Sequence, residues 1–176
     1  MSLFKFDLAN NTAADPGYAV HDDKLPYIPW GDKAKLKLLA ADVEGSRFVV
    51  RLQFEPGIQF PPHMHTGAVH AFTHAGNWTY LEYGDATSCT AGSYLYEPAG
   101  SVHTLFIPET NTGITDVSFI VEGAMIHLNP DGSVMAIGDA ESHIREYAEG
   151  CRKAGFEVPD IVIGGRTRIQ PVQLPS

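Results

Sequence analysis

The sequence predicts an all-β domain that carries an extended N-terminal arm and a C-terminal helix. Three observations lead to this prediction. Residues 47–54 alternate apolar and polar side chains with the period of a half-buried strand. Between residues 36 and 128, short apolar segments are separated by turns rich in proline and glycine, a pattern typical of a sandwich or barrel. Apolar residues at helical spacing occur only after residue 139, and a length of 176 residues fits one domain.

Residues 1–34 are predicted to form the arm. The segment is rich in turn formers, and residues 25–30 (Leu-Pro-Tyr-Ile-Pro-Trp) contain two prolines. Each proline fixes φ and removes a backbone donor, which disfavours regular structure. We therefore expect an extended segment that wraps around the body of the domain and is anchored by the apolar residues of 25–30.

Residues 35–129 are predicted to form the barrel. Apart from 47–54, each candidate strand is bounded by turn-forming residues. The tight turn Asn129-Pro130-Asp131-Gly132 is expected to close this region. The further candidate strands are 69–74, 77–83, 93–97, 102–107, 115–121 and 124–128.

Residues 130–176 are predicted to contain one helix and a tail. Asp139 can cap the helix at its N-terminus, and Gly155 can end it. Residues 161–163 are a possible edge strand within the ambiguous tail. The apolar face of the helix is expected to consist of Ile144, Tyr147, Ala148 and Cys151.

Charge and composition exclude several functional classes. Twelve Lys and Arg residues against twenty-one Asp and Glu give a formal net charge of −9, which argues against nucleic acid or an anionic membrane as a partner. No apolar run approaches the roughly 20 residues of a membrane helix, and the N-terminus lacks the apolar core of a signal peptide. Two cysteines without paired spacing fit a reducing compartment. We therefore expect a cytoplasmic protein.

A cluster of histidines carries the chemistry of the sequence. Five of the eight histidines lie between residues 63 and 103. His63 and His65 would project from the same face of a strand, where two imidazoles can bind one ion at roughly 2.1 Å each. His103 follows a proline- and glycine-rich turn at a predicted strand start. The His-x-His spacing alone fits two exposed strand histidines equally well.

Two segments resemble the motifs of the cupin superfamily. This resemblance implies a jelly-roll β-barrel with a metal ion in its mouth, bound by His63, His65 and His103. The glutamate ligand usual in the first motif is absent, because Val69 and His70 stand at its positions. His70 is then either a fourth ligand or a residue that contacts a ligand. The segments are Gly57-x5-His63-x-His65-x4-His70-x5-Gly76 and Gly92-x5-Pro98-x-Gly100-x2-His103.

A closer resemblance extends from residue 25 to residue 108. The segments 25–30, 63–67, 76–82 and 91–105 are similar to the 2,4′-dihydroxyacetophenone dioxygenase family, which is related to the acetylacetone-cleaving cupins. This resemblance implies a non-haem Fe(II) enzyme that uses O2 to cleave the C–C bond of a small ketone substrate. Imidazoles also accept Zn, Mn or Ni. The resemblance further implies a homodimer or homotetramer.

Five other residues are candidates for the active site. His70 and Glu97 are candidate catalytic bases, because an imidazole or carboxylate near the ion could take up a proton from the substrate. Glu97 could equally be a surface residue or could orient a histidine ligand. Trp78, Tyr80 and Tyr96 are candidates for binding an aromatic substrate, although aromatic residues on strands often belong to the core.

Three functional readings follow from these observations. The first is an Fe(II) dioxygenase that cleaves a C–C bond of a hydroxyketone or β-diketone. The second is a non-oxidative Zn or Mn enzyme, either an isomerase, a lyase or a hydrolase. The third is a zinc-binding sensor or interaction domain. His21, His127 and His143 lie outside both motifs and are predicted to be structural or solvated.

Overall fold

The computed structural model describes residues 19–164. Within these residues the chain forms fourteen strands, one α-helix and two short 3-10 turns at Asp22–Lys24 and Gly84–Thr87. No helix in this range combines the length and the apolar character that crossing a bilayer requires. The strands are β1 (Ile28–Pro29), β2 (Ala34–Asp42), β3 (Arg47–Phe54), β4 (His63–His65), β5 (Val69–Ala75), β6 (Asn77–Tyr80), β7 (Cys89–Thr90), β8 (Tyr94–Glu97), β9 (Val102–His103), β10 (Leu105–Phe106), β11 (Thr115–Glu122), β12 (Met125–Leu128), β13 (Val134–Gly138) and β14 (Val162–Gly164), and the helix is α1 (Ala140–Lys153).

The largest sheet forms one wall of the domain. Its strand order is β1-β2-β3-β11-β5-β8, and β14 pairs with β2 in parallel. Side chains alternate along β3, so that Phe48, Val50, Leu52 and Phe54 are buried between more exposed neighbours. Apolar residues of β2, β5 and β11 complete this inner face. The alternating pattern of residues 47–54 therefore predicts both the strand and its buried face.

Two smaller sheets complete the sandwich. One has the order β13-β12-β4-β9, and the other has the order β10-β6-β7. In the first, β4 lies between β12 and β9, so that the two histidines of β4 are held by ladders on both sides. The predicted all-β architecture with a C-terminal helix is confirmed. The position of β4 fixes the place of the candidate site.

Helix α1 packs against the two N-terminal strands. Asp139 caps it in a reciprocal capping box with Ser142, and Gly155 follows its last turn with a φ of 76°. The Tyr147 hydroxyl donates a hydrogen bond of 2.7 Å to the carbonyl of Pro26. Gly150 lies so close to Ile28 that a Cβ there would clash with its side chain. Helix α1 and residues 25–30 thus stabilise each other's positions. Residues 1–18 of the predicted arm lie outside the described range.

The structure differs from the predicted strands at four places. Strand β2 was not predicted, and β13 continues the second sheet beyond residue 129, because the turn at 129–132 closes a β12–β13 hairpin. The predicted strand 77–83 ends at Tyr80, before the 3-10 turn. The predicted strand 102–107 is divided at Thr104, whose N–H donates to the Glu82 carboxylate over 2.8 Å and not to a strand partner.

Candidate metal centre and its cavity

Three histidines from two neighbouring strands converge in the interior. His63 and His65 project from the same face of β4, whereas Met64 points the other way. His103 on β9 is the Cα partner of His63. All three are buried, and one ring nitrogen of each lies within 4.8 Å of the others. The chain therefore forms a β-sandwich with three buried histidines that could bind a metal ion.

One ring nitrogen of each histidine in this cluster is available to bind an ion. Nδ1 of His63 lies 3.3 Å from the carbonyl oxygen of Pro61, which can only accept, so Nδ1 donates and Nε2 keeps its lone pair. Nδ1 of His65 and both ring nitrogens of His103 have no hydrogen-bond partner among the described residues. Buried polar atoms are normally paired. The residues present thus match a metal site.

Burial keeps the candidate ligands neutral. Burial, followed by the neighbouring His103 and His65 rings, lowers the pKa of His63 to about 3. Burial also lowers the pKa of His65 to about 4, although the Glu97 carboxylate acts in the opposite direction. Since a metal ion binds the neutral imidazole, both rings have the required protonation state at pH 7.

A buried carboxylate lies beside the three histidines. Oε2 of Glu97, at the end of β8, is 3.1 Å from Nε2 of His103 and 3.6 Å from Nε2 of His65, without the alignment of a hydrogen bond. The Tyr80 hydroxyl donates to Oε1 of Glu97. Burial alone would raise the pKa of Glu97, but His103 and Tyr80 outweigh it and hold the pKa below its ordinary value. Glu97 is therefore a buried carboxylate, not a surface residue, and Oε2 is free for an ion or a proton.

Of the three aromatic candidates, only Tyr80 lies at the cluster. Its ring stacks on His103 with centroids 3.9 Å apart, and burial together with Glu97 raises the pKa of its hydroxyl, which remains a donor. Trp78 is completely buried, and its Nε1 donates a 2.9 Å hydrogen bond to Thr73. Trp78 does not line the cavity at the histidines, and so it belongs to the core.

The structure does not bring His70 and Tyr96 into the interior. His70 alternates with the buried residues Val69 and Ala71, so it points outward from β5. Its Nδ1 lies 2.7 Å from the hydroxyl of Tyr94. Tyr96 is 56% exposed on the same outer face and borders a second cleft, which Tyr80, Glu97 and His103 also line. The expectation that His70 is a fourth ligand, a ligand contact or a base is therefore corrected, and Tyr96 does not line the inner cavity.

A mostly apolar cavity opens onto the cluster. The empty space between the large sheet, β4, β12 and α1 is about 550 Å³ when the open solvent at the mouth is included. The apolar walls limit the access of water to the histidines. Its polar lining consists of His63, His65, Tyr80, His127 and His143, and its apolar lining consists of Trp30, Leu36, Val50, Leu52, Phe54, Phe60, Leu105, Phe119, Val121 and Met125.

Sequence reasoning missed two of these polar residues. His127 was read as structural or solvated, yet it is half-buried in the cavity wall and is the Cα partner of His63. No sequence motif indicates that pairing. His143 is buried on the inner face of α1. A signal for it existed, because His143 precedes Tyr147 and Cys151 at intervals of four, the spacing of the predicted apolar face.

Comparison with protein families finds one match. The family described as the ChrR cupin-like domain matches residues 16–126, which is more than half of the chain and includes all three histidines. The comparison with curated proteins found no match.

Comparison with solved structures finds the same fold. A protein of unknown function with a cupin-like fold from Ralstonia eutropha JMP134 is 29% identical, with a TM-score of 0.79 over 90% of this chain and 99% of that one. An acetylacetone dioxygenase from Acinetobacter johnsonii is 20% identical, with a TM-score of 0.67 over 82% of this chain and 99% of that one. A polyketide cyclase from Streptomyces resistomycificus is 11% identical, with a TM-score of 0.50 over 74% of this chain and 94% of that one. The fold is thus shared by proteins of different activity.

Proposed function

This chain belongs to the family of ChrR cupin-like domains, and we propose that it is an Fe(II)-dependent dioxygenase acting on a small ketone. The substrate is a hydroxyketone or β-diketone such as 2,4′-dihydroxyacetophenone, and the reaction cleaves a C–C bond with O2. The observation that carries the proposal is a cluster of three buried histidines and one buried carboxylate beside an apolar cavity that His63 and His65 line.

The three histidines are proposed as the metal ligands. His63, His65 and His103 would each offer one nitrogen, and none of the three ligands adds a negative charge to the ion. When bound, the ion supplies a Lewis acid that favours an enolised ligand with two oxygens and orients O2 beside it. Since Glu97 is the one carboxylate beside the cluster among the described residues, a divalent ion would keep a net positive charge, which favours an anionic chelating substrate such as an enolised hydroxyketone or diketone.

Glu97 is proposed as the catalytic base. Its Oε2 has no aligned hydrogen-bond partner in the described part of the chain and faces His65 and His103. Its lowered pKa keeps it ionised at neutral pH, so that it can take a proton from the carbon next to the ketone. Tyr80 has a positioning role, because its hydroxyl donates to the other carboxylate oxygen and its ring packs on His103.

The apolar wall is proposed to bind the body of the substrate. Phe54, Phe60 and Phe119 line the cavity next to the histidines, and so they can pack against a methyl group or an aromatic ring. Exclusion of water by these side chains strengthens the electrostatic interactions around the ion. This wall favours a substrate whose body, away from its chelating oxygens, is apolar.

Oxygen uptake tests the proposal. The protein is stripped of metal, reloaded anaerobically with Fe(II) and offered 2,4′-dihydroxyacetophenone and acetylacetone in turn, with His103→Ala and His70→Ala as a matched pair. We expect uptake with at least one substrate, loss of uptake in His103→Ala and retention in His70→Ala. Glu97→Gln is expected to lower the rate by about 100-fold or more while Fe(II) stays bound, because general-base catalysis contributes about 10²- to 10⁴-fold.

The absence of oxygen uptake with both substrates would overturn the proposed dioxygenase activity. If the protein then binds Zn or Mn tightly, a non-oxidative enzyme or a sensor domain becomes the better interpretation.

Association into a homodimer or homotetramer stays a prediction, which sedimentation velocity of the metal-loaded protein checks.

A further inference from the structure

Two histidines outside the metal centre line the same cavity. His127 on β12 is half-buried, and His143 on α1 is only 4% exposed. The other polar side chains of the cavity wall, namely His63, His65 and Tyr80, all belong to the metal centre. An imidazole in an otherwise apolar wall is costly unless it has a hydrogen-bonding partner. These two rings are thus polar groups of the cavity wall that the metal centre does not use.

The two histidines lie one step beyond the metal centre. His127 is the Cα partner of His63 across the β12–β4 ladder, and their ring centroids are 6.3 Å apart. His143 lies against Gly138, which pairs with Met125 on the same strand as His127, and both histidines line the same cavity. A ligand bound at the metal centre could thus reach His127 and His143 with its other end.

The hydrogen bonds of His143 define what it can bind. Its Nδ1 lies 2.8 Å from the carbonyl oxygen of Asp139, so Nδ1 carries the proton and donates. Burial lowers the pKa of His143, and so the ring is neutral at pH 7 and Nε2 is an acceptor. Within residues 19–164, no side chain or backbone group forms a hydrogen bond with Nε2 of His143. Stacking on Phe48, with centroids 4.0 Å apart, holds the ring in place.

From this arrangement we propose that His127 and His143 form a subsite for a hydroxyl group of the substrate. The substrate is then a ketone with its chelating oxygens at one end and a hydrogen-bond-donating hydroxyl, such as that of a phenol, at the other. The apolar wall between the two ends packs against the ring that joins them. This inference rests on the proposed function, because it takes the chelated end to lie at His63, His65 and His103.

Ligand binding without turnover tests the subsite. Zn(II)-loaded protein is titrated calorimetrically with 2,4′-dihydroxyacetophenone and with 2-hydroxyacetophenone, which lacks only the phenolic hydroxyl. We expect the first probe to bind about 10-fold more tightly, the equivalent of one hydrogen bond from a buried neutral group. His143→Phe keeps a ring against Phe48 but removes Nε2, and is expected to reduce this ratio to about 1 with unchanged zinc content.

Two further variants keep the test decisive. His127→Leu is expected to reduce the ratio in the same direction, and it remains informative if His143→Phe does not fold. His70→Phe, on the outer face, is expected to leave the ratio unchanged. Equal binding of the two probes by the wild-type protein, or an unchanged ratio in both cavity variants, would overturn the subsite. Binding of neither probe would overturn the proposed substrate class and the subsite with it, whereas a clear preference without oxygen uptake would overturn the proposed reaction alone.

Discussion

Imidazole and phenol rings meet on both faces of this sandwich, with different consequences. On the inner face, His103 stacks on Tyr80, whose hydroxyl donates to Glu97. On the outer face, His70 lies against Tyr94, with Nδ1 2.7 Å from the hydroxyl. His70 belongs to the first of the two cupin-like sequence motifs, and His103 belongs to the second. Only the inner one is buried beside other candidate ligands.

The difference between the two faces is one of burial and unmet hydrogen bonding. The ring nitrogens of His103 are buried without aligned partners, and a carboxylate oxygen lies 3.1 Å away. His70 has a partner in Tyr94 on an outward-facing strand position, and no carboxylate accompanies it among its described contacts. The number of histidines in a segment therefore matters less than strand parity, which decides which of them share an interior site.

The largest expected effect is loss of metal from the inner face. His103→Ala is expected to reduce bound metal from about one equivalent to nearly none after dialysis, because it removes one of three ligands. The matched change His70→Ala on the outer face is expected to leave one equivalent. Metal analysis of both purified proteins after reloading with Fe(II) or Zn(II) measures this difference.

Equal metal loss in the two variants would contradict this comparison, since the outer histidine would then contribute to the site. Retention of a full equivalent in His103→Ala would contradict the inner site itself. Circular dichroism of each variant shows whether the fold is preserved.

Local patterns predicted much of the fold and the identity of the three histidines. The alternation in residues 47–54 and the Asp139 cap with Gly155 correspond to β3 and α1. The cupin-like spacing correctly placed His63, His65 and His103 in one cluster. These features depend on neighbours in the sequence, and so they are readable from it.

Other features depend on contacts between distant segments. His70 follows the first motif, but only the register of β5 determines that it points outward. The pairing of His127 with His63 depends on which strand lies beside β4, and the inward position of Glu97 depends on the pairing of β8 with β5. Sequence spacing contains neither the strand order nor the burial that makes these residues part of a site.

A smaller effect is the difference in stability lost when an aromatic side chain is removed from the interior or from the outer face. Trp78→Ala is expected to lower the free energy of unfolding by about 3–5 kcal/mol, because it leaves a cavity in the core and an unpaired Thr73 hydroxyl. Tyr96→Ala on the outer face is expected to change it by about 0.5 kcal/mol, since the side chain is 56% exposed. Urea unfolding of both variants measures these values, and similar losses would show that the outer face is covered in solution.

The smallest expected effect is a pH dependence of the outer face. Arg51 contacts the Asp116 carboxylate at 2.7 and 3.0 Å, and Gln53 donates to it at 3.0 Å. Burial alone would raise the pKa of Asp116, but these hydrogen bonds outweigh it and lower the pKa below 3.8. A lowered folded-state pKa stabilises the protein above the unfolded-state value, and this stabilisation disappears as the pH falls through the folded-state value.

Asp116→Asn is therefore expected to lose about 1–2 kcal/mol of unfolding free energy at pH 7. The gap from the wild-type protein is expected to shrink as the pH falls below about 3.8, where the unfolded chain takes up the proton, and to close as the pH falls through the lower folded-state pKa. Urea titrations between pH 7 and pH 3 measure the gap. A difference in unfolding free energy that does not change with pH would contradict this prediction, because it would mean that the charge of the Asp116 carboxylate does not contribute to stability.

Anomalous diffraction from crystals of the Fe(II)-loaded protein tests the central claim most directly, because it locates the ion without reference to activity. We predict a single strong peak at the iron edge, within about 2.1–2.3 Å of one nitrogen each of His63, His65 and His103. A peak elsewhere, in particular on the outer face beside His70 and Tyr94, or no peak despite measured iron in the crystals, would contradict the account.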